Sequence, residues 1–263
     1  MMNRIVLMAV IAVLAAGCGE RINKEPELQE NTEEYFKAHG IVAGQVNELR
    51  IGGTLFRFPA GVGLNPYTAQ ETYRSKDGSP MTLSTKEGME QGKYEKVATP
   101  IVKGQADRVA FYLDGDHSFR PSLDPFGTRG SGSSIRIQIS SGYREDVSKD
   151  LITTQKITLR SERDMKSIDL KEFVFADRKN SGDAHLLYLV TNMKTPRGGS
   201  LVFHCEPKYG AKGYVDEPAH CATTYQALQG FTVTYGFGGD VWLQKWQEMH
   251  RAVTQFVDSV VVK

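Results

Sequence analysis

The stretch Phe231-Thr232-Val233-Thr234-Tyr235-Gly236-Phe237-Gly238-Gly239-Asp240, followed by Trp242, Trp246, Met249, Val253, Phe256 and Val260, decides the fold. Its first five residues are β-branched or aromatic and read as a strand. Gly236 to Gly239 read as a turn, with Asp240 able to cap a helix. From Trp242 the apolar residues recur at spacings of four and three, which places them in one stripe on a long amphipathic C-terminal helix. Both tryptophans lie on that stripe. A stripe of this kind packs on a sheet, and the polar face lacks the Lys/Arg richness of a membrane-surface helix.

Working back from this segment, short strand-like runs alternate with turn residues. Arg108 to Leu113 is a continuous buried-type run, and Ser134-Ile135-Arg136-Ile137-Gln138-Ile139 alternates strictly. Further runs lie at Val46–Ile51 and Thr54–Phe58 around Gly52-Gly53, at Gln155–Leu159, Glu172–Phe175, His185–Val190, Ser200–Cys205 and Ala222–Leu228. Gly-Gly between two runs predicts a hairpin. No helical stretches separate the strands, so the sheets are expected to be mostly antiparallel. Residues 65–95 are polar and turn-rich, and read as long loops. The expected class is α+β: a mostly antiparallel β-sheet core with a long C-terminal helix. The glycine- and serine-rich segment 127–134 is the candidate boundary should the core divide into two sub-domains.

The chain has 263 residues, 40% of them hydrophobic, with 32 Lys and Arg against 31 Asp and Glu. This excludes collagen-like, coiled-coil and wholly disordered chains. Near-zero net charge argues against a nucleic-acid partner, since phosphate binding draws on a basic excess.

The N-terminus reads Met1-Met2-Asn3-Arg4, an apolar run from Ile5 to Ala16, then Gly17-Cys18. One positive charge, a short apolar run and small residues form a secretory signal. The run is too short to span a bilayer as a mature helix. Leu14-Ala15-Ala16-Gly17-Cys18 resembles a bacterial lipobox, with Ala15 where Leu is the commoner choice. The resemblance implies that residues 1–17 are removed and that Cys18 carries lipid, palmitate included. Gly19 in place of Asp implies export to the outer membrane, with the protein facing the periplasm. The rival reading is an ordinary signal peptide with Cys18 incidental. Residues 18–40, rich in glutamate, read as a charged tether with a short helix near 27–38, and 41–263 as the globular domain.

With Cys18 acylated, Cys205 and Cys221 remain as an even pair in an oxidising compartment, and are expected to form a disulfide. His204 and His220 precede them, so a zinc site can be drawn. Neighbours on a strand point to opposite faces, however, which opposes convergence. No cofactor is expected.

Catalytic motifs are sparse. Gly-x-Ser-x-Gly, His-Glu-x-x-His and a Walker loop are all missing from the sequence. Asp114, Asp116 and His117, with Asp124 beyond them, could hold a hard metal or act as acid and base, but Asp and Gly also make turns. The segment between the cysteines offers a recognition surface instead. Tyr209, Lys212, Tyr214, Asp216 and Glu217 are its candidate partner-binding residues, because a disulfide at its base would preorganise it.

The lipobox at Cys18, the segment Gly52-Gly53-Thr54-Leu55-Phe56-Arg57-Phe58-Pro59, and the terminal strand leading into the Trp242/Trp246 helix together resemble lipoprotein immunity proteins. That family protects bacteria from type VI secretion phospholipase effectors. The resemblance implies a non-catalytic protein that binds a toxic lipase and blocks it sterically. The alternatives are an envelope assembly or structural lipoprotein, and a hydrolase using Asp114, Asp116 and His117.

Overall fold

The computed structural model describes residues 28–127, 133–142, 158–176, 184–210 and 213–263. Its elements in chain order are α1 (Glu33–Ala38), β1 (Asn47–Ile51), β2 (Thr54–Phe58), β3 (Asn65–Tyr67), β4 (Glu71–Ser75), α2 (Thr85–Glu90), β5 (Tyr94–Ala98), β6 (Gln105–Ala106), β7 (Arg108–Asp114), β8 (Arg120–Pro121) and β9 (Ser134–Ser140). They continue with β10 (Thr158–Met165), β11 (Leu170–Ala176), β12 (Ala184–Lys194), β13 (Ser200–Gly210), β14 (Gly213–Gln226), β15 (Thr232–Gly238), α3 (Gly239–Trp242) and α4 (Trp246–Val260).

One ten-stranded sheet dominates, in the order β10-β11-β12-β13-β14-β15-β9-β7-β3, with β8 paired to β7. Every pairing in it is antiparallel. A three-stranded sheet, β2-β1-β6, lies against it and contains one parallel pair, β1 with β6. The chain therefore has a mostly-β fold with a C-terminal helix, and the α+β class with two sub-domains is corrected on this ground. The strands flanking 127–134 are β7 and β9, which pair with each other from Arg108↔Ser140 to Asp114↔Ser134. Strand β9 then joins β15, from the second half of the chain, so one sheet runs through both halves.

Alternation supplies the core. Ile135, Ile137 and Ile139 are fully buried, while Arg136 between them is exposed. Val109, Phe111 and Leu113 on β7 and Val233, Tyr235 and Phe237 on β15 bury the same face. Helix α4 lies across it: Trp246 meets Phe203 with ring centroids 5.7 Å apart, and Phe256 meets Phe111 at 5.3 Å. The small sheet adds Phe56 against Phe231 and Phe58 against Phe111. Each ring buried here is worth on the order of 2 kcal/mol.

The C-terminal helix is broken at its start. Asp240 lies inside α3, whose N-cap is Gly238, and a 3₁₀ turn over Leu243–Lys245 separates α3 from α4. The break has a packing cause. Trp242 turns toward Phe119, 5.2 Å away, and lies so close to Gly115 that a Cβ there would stand 2.0 Å from its ring. Trp246 turns toward Phe203 instead, and one straight helix could not serve both. Gly236 and Gly238, expected in a turn, belong to β15.

Residues 65–95 hold β3, β4 and α2 in place of long loops. Helix α2 is closed by a capping box between Ser84 and Glu87. The ring of Tyr94 packs against Gly88, and its hydroxyl bonds the Leu83 backbone. The tether reading also stops short. Thr32 caps α1, Tyr35 and His39 are fully buried, and His39 bonds the Tyr35 carbonyl and the Thr68 hydroxyl. The packed domain thus begins well before residue 41. The signal segment, the lipobox and Cys18 lie outside the described residues, as do positions 155–157 of the expected strand 155–159. Among the described residues, no helix is long and apolar enough to cross a membrane.

Candidate interaction site

Cys205 and Cys221 are directly opposite each other on β13 and β14 and are joined as a disulfide. This cross-link marks the edge of the sheet. The last pair between β12 and β13 is Leu186↔Cys205, and the last between β14 and β15 is His220↔Gly238. Beyond these pairs, β13 and β14 continue to Gly210 and from Gly213, paired only with each other among the described strands. The segment between the cysteines is a two-stranded ribbon standing off the end of the sheet.

The base of the ribbon is irregular for a chemical reason. Pro207 pairs with Pro218, and neither can donate a ladder hydrogen bond. The register shifts on both sides of this pair, so that Lys208 faces Val215 and Asp216 and Glu217 sit in a bulge. Bulges twist a strand and re-aim its side chains, and with proline they blunt a strand edge against unwanted pairing. The root is braced from one side by α3. A Cβ on Gly239 would stand 2.6 Å from Pro218 Cβ and 2.8 Å from Cys221 Sγ, so only glycine allows this approach. Lys208 Nζ lies 3.2 Å from Asp240 and 3.8 Å from Glu217. Such exposed pairs contribute well under about 1 kcal/mol each. The disulfide, closing a loop of sixteen residues' separation, contributes about 3 kcal/mol.

Of the residues assigned to partner binding, Glu217 is exposed at the ribbon root, and Tyr209 and Tyr214 are register partners. Lys212 lies outside the described residues, as do the side chains of Tyr209, Tyr214 and Asp216. His204 and His220 lie on the two strands beside the disulfide, which holds the cysteine sulfurs that a zinc site would need.

Asp114 and Asp124 perform turn work. Asp114 Oδ1 accepts the Asp116 N–H at 3.1 Å, capping a 3₁₀ turn, and Asp124 Oδ1 accepts the Phe126 N–H at 2.9 Å. The His117 side chain lies outside the described residues. Among the described residues, no three His, Cys, Asp or Glu side chains converge as a metal site.

Two polar groups are buried in the domain away from the ribbon. Glu172 accepts from the Tyr188 hydroxyl and from Arg163, each at 3.0 Å, on neighbouring strands of the sheet. His250, on the buried face of α4, lies against Tyr235, and desolvation pushes its pKa down to about 4. A groove of about 600 Å³ beside it is lined by Asn192, Met193, Gln247 and Arg251. Another of about 400 Å³, farther along the same side of α4 and sharing Thr254 with it, is lined by Tyr225, Leu228 and Val257. The contacts that form these groups span up to sixteen positions, and no local motif announces them.

No protein-family model matches this chain, and no curated protein sequence matches it. Among solved structures it is similar to Smlt3025, an immunity protein of the Stenotrophomonas maltophilia type IV secretion system. The two share 12% identity with a TM-score of 0.44, over 84% of this chain and 94% of that one.

Proposed function

We propose that this chain is a lipid-anchored periplasmic protein of the outer membrane that binds a protein partner and neutralises it without catalysis. The partner class implied by its sequence resemblance is a secreted lipase toxin. The observation that carries the binding role is the β13–β14 ribbon: two strands that leave their own sheet, are stapled covalently at the root and are braced by α3. A preorganised strand pair loses little conformational entropy on docking, which is where much of the cost of protein association lies. The lipobox-like sequence ending in Cys18 supports the anchor. Acyl chains contribute about 0.8 kcal/mol per buried CH₂, and more than one chain is needed for stable attachment.

Affinity capture of the tagged, acylated chain from its own cells, followed by an enzymatic assay of what is captured, tests the reading. A stoichiometric lipase inhibited by the purified chain is the expected result. Cell-wall or assembly components in its place would favour a structural lipoprotein. Metabolic labelling with palmitate tests the anchor separately: Cys18→Ser should abolish the label, and a label that persists would refute acylation at this residue.

A further inference from the structure

The sheet has two ends of different character. Leu28, the first described residue, is held at one of them: its N–H donates to Gln70 Oε1 at 3.0 Å, and Gln70 Nε2 donates to its carbonyl at 2.6 Å. Next to Gln70, the Ala69 N–H donates to Asp107. From there one row of register partners crosses the sheet: Tyr67 to Arg108, Arg108 to Ser140, Ser140 to Thr232 and Thr232 to Gln226. Asp114, Ser134, Gly238 and His220 form the opposite end, and the ribbon leaves the sheet beyond it. Cys18 is ten residues from Leu28 in sequence, a reach of at most about 35 Å. Strand β14 has fourteen residues, and from Gln226 back to Gly213 it spans about 43 Å at strand rise.

We infer that the ribbon is the docking element for the partner, presented at the end of the molecule remote from the bilayer, and that the partner is a protein domain with a net basic docking face. This rests on the anchored-binder reading above. The tether enters at the Gln70 end, so that end stays within reach of the membrane and the ribbon points into the periplasm. The charge of the root sets the chemistry. Glu206 and Glu217 are exposed and Asp240 is half-exposed, while Lys208 beside them is already engaged by Glu217 and Asp240. A basic partner face is attracted to this root and an acidic one is repelled, which selects partners and speeds encounter.

Two experiments on the full acylated chain test the inference. In vesicles of phosphatidylethanolamine and phosphatidylglycerol carrying an acceptor lipid, a donor fluorophore replacing Leu228, at the tether end of β14, should transfer several-fold more energy than one replacing His220. Equal or reversed transfer would overturn the orientation. In native cells, a benzophenone photocrosslinking residue replacing His220 should give one discrete protein adduct through a Lys/Arg-rich peptide. The same residue replacing Leu123 or Leu228, both highly exposed, should give none. Glu206→Lys with Glu217→Lys should cut the His220-site adduct at least tenfold, with thermal unfolding unchanged. Adducts only from the Leu123 or Leu228 sites would overturn the ribbon as docking element and leave the binding role standing. An adduct insensitive to charge reversal would overturn the basic partner. No adduct from any site would count against both.

Discussion

The Tyr235 hydroxyl lies 2.7 Å from His250 Nδ1, where β15 meets α4, and both side chains are buried. Desolvation holds the His250 pKa down to about 4 and raises that of Tyr235 well above its usual value. A neutral phenol and a neutral imidazole therefore share one hydrogen bond, its direction set by the imidazole tautomer. An unfolded histidine titrates near about 6.5, so the unfolded chain binds the extra proton between that pH and about 4. Stability contributed by the neutral pair is complete above that window and is lost as pH falls through it. About 2.5 kcal/mol should disappear between pH 7 and pH 4.5. Burial lowers the pKa of His39 as well, which adds loss of the same sign. Urea unfolding at both pH values should show His250→Gln less stable at pH 7 and flatter toward pH 4.5. An unchanged pH difference in the variant would remove His250 from the account.

The Cys205–Cys221 cross-link should stabilise locally more than globally. Replacing both with Ala is expected to cost about 3 kcal/mol on the chain-entropy argument. Amide exchange is the sharper measurement, because the ribbon has no other sheet neighbour among the described strands. Protection in 206–210 and 213–217 should collapse, while that of β9 and β15 should shift only with global stability. Unchanged ribbon protection would mean that the ribbon is held by its own pairing.

Gly239 tests the brace at the ribbon root. Gly239→Ala drives a methyl toward Pro218 and Cys221 Sγ, and overpacking of this kind costs about 1–3 kcal/mol. Gly53→Ala is the matched control, since nothing lies within 4 Å of its Cβ direction, and should stay within about 0.5 kcal/mol. Chemical denaturation of the two variants side by side decides the point, and equal stability would show α3 yielding freely.

The strands legible in the sequence are those whose own residues carry the pattern. Ile135, Ile137 and Ile139 alternate, and Val109 to Leu113 form an apolar run, so β9 and β7 stand out. Their places beside β15 did not, because Val233↔Ile139 joins residues from distant parts of the chain and no local signal encodes that pairing. Helix α1 falls within the short helix expected near 27–38, but its packing was not legible: the acidic first turn, Glu33 and Glu34, reads as a solvated tether although Tyr35 is wholly buried. Helix α2 was overlooked despite Ser84 and Glu87 at capping-box spacing, because its six residues bury so little. The ribbon misled for a different reason. Two prolines and charges of both signs mark a loop by composition, and only the register of Cys205 with Cys221 reveals paired strands on both sides of the tip.

Trp246 ties the helix to the far half of the sheet. Its indole Nε1–H donates to the Ile168 carbonyl at 2.6 Å, in the 3₁₀ turn between β10 and β11. The next residue, Asp169, adopts φ 54° and accepts from Asn192 at 2.8 Å and from Gln247 at 3.0 Å. One turn thereby fastens β12 and the start of α4 together. Trp246→Phe keeps an aromatic ring against Phe203 but removes the donor and leaves a cavity. A lost buried hydrogen bond of about 1–3 kcal/mol and a packing defect add in the same direction. Gln247→Ala, on the half-buried side of the helix, should cost about 1 kcal/mol. Because both act through the same turn, the double variant should lose less than the two single losses together. Full additivity in a denaturation cycle would show that the two contacts are independent.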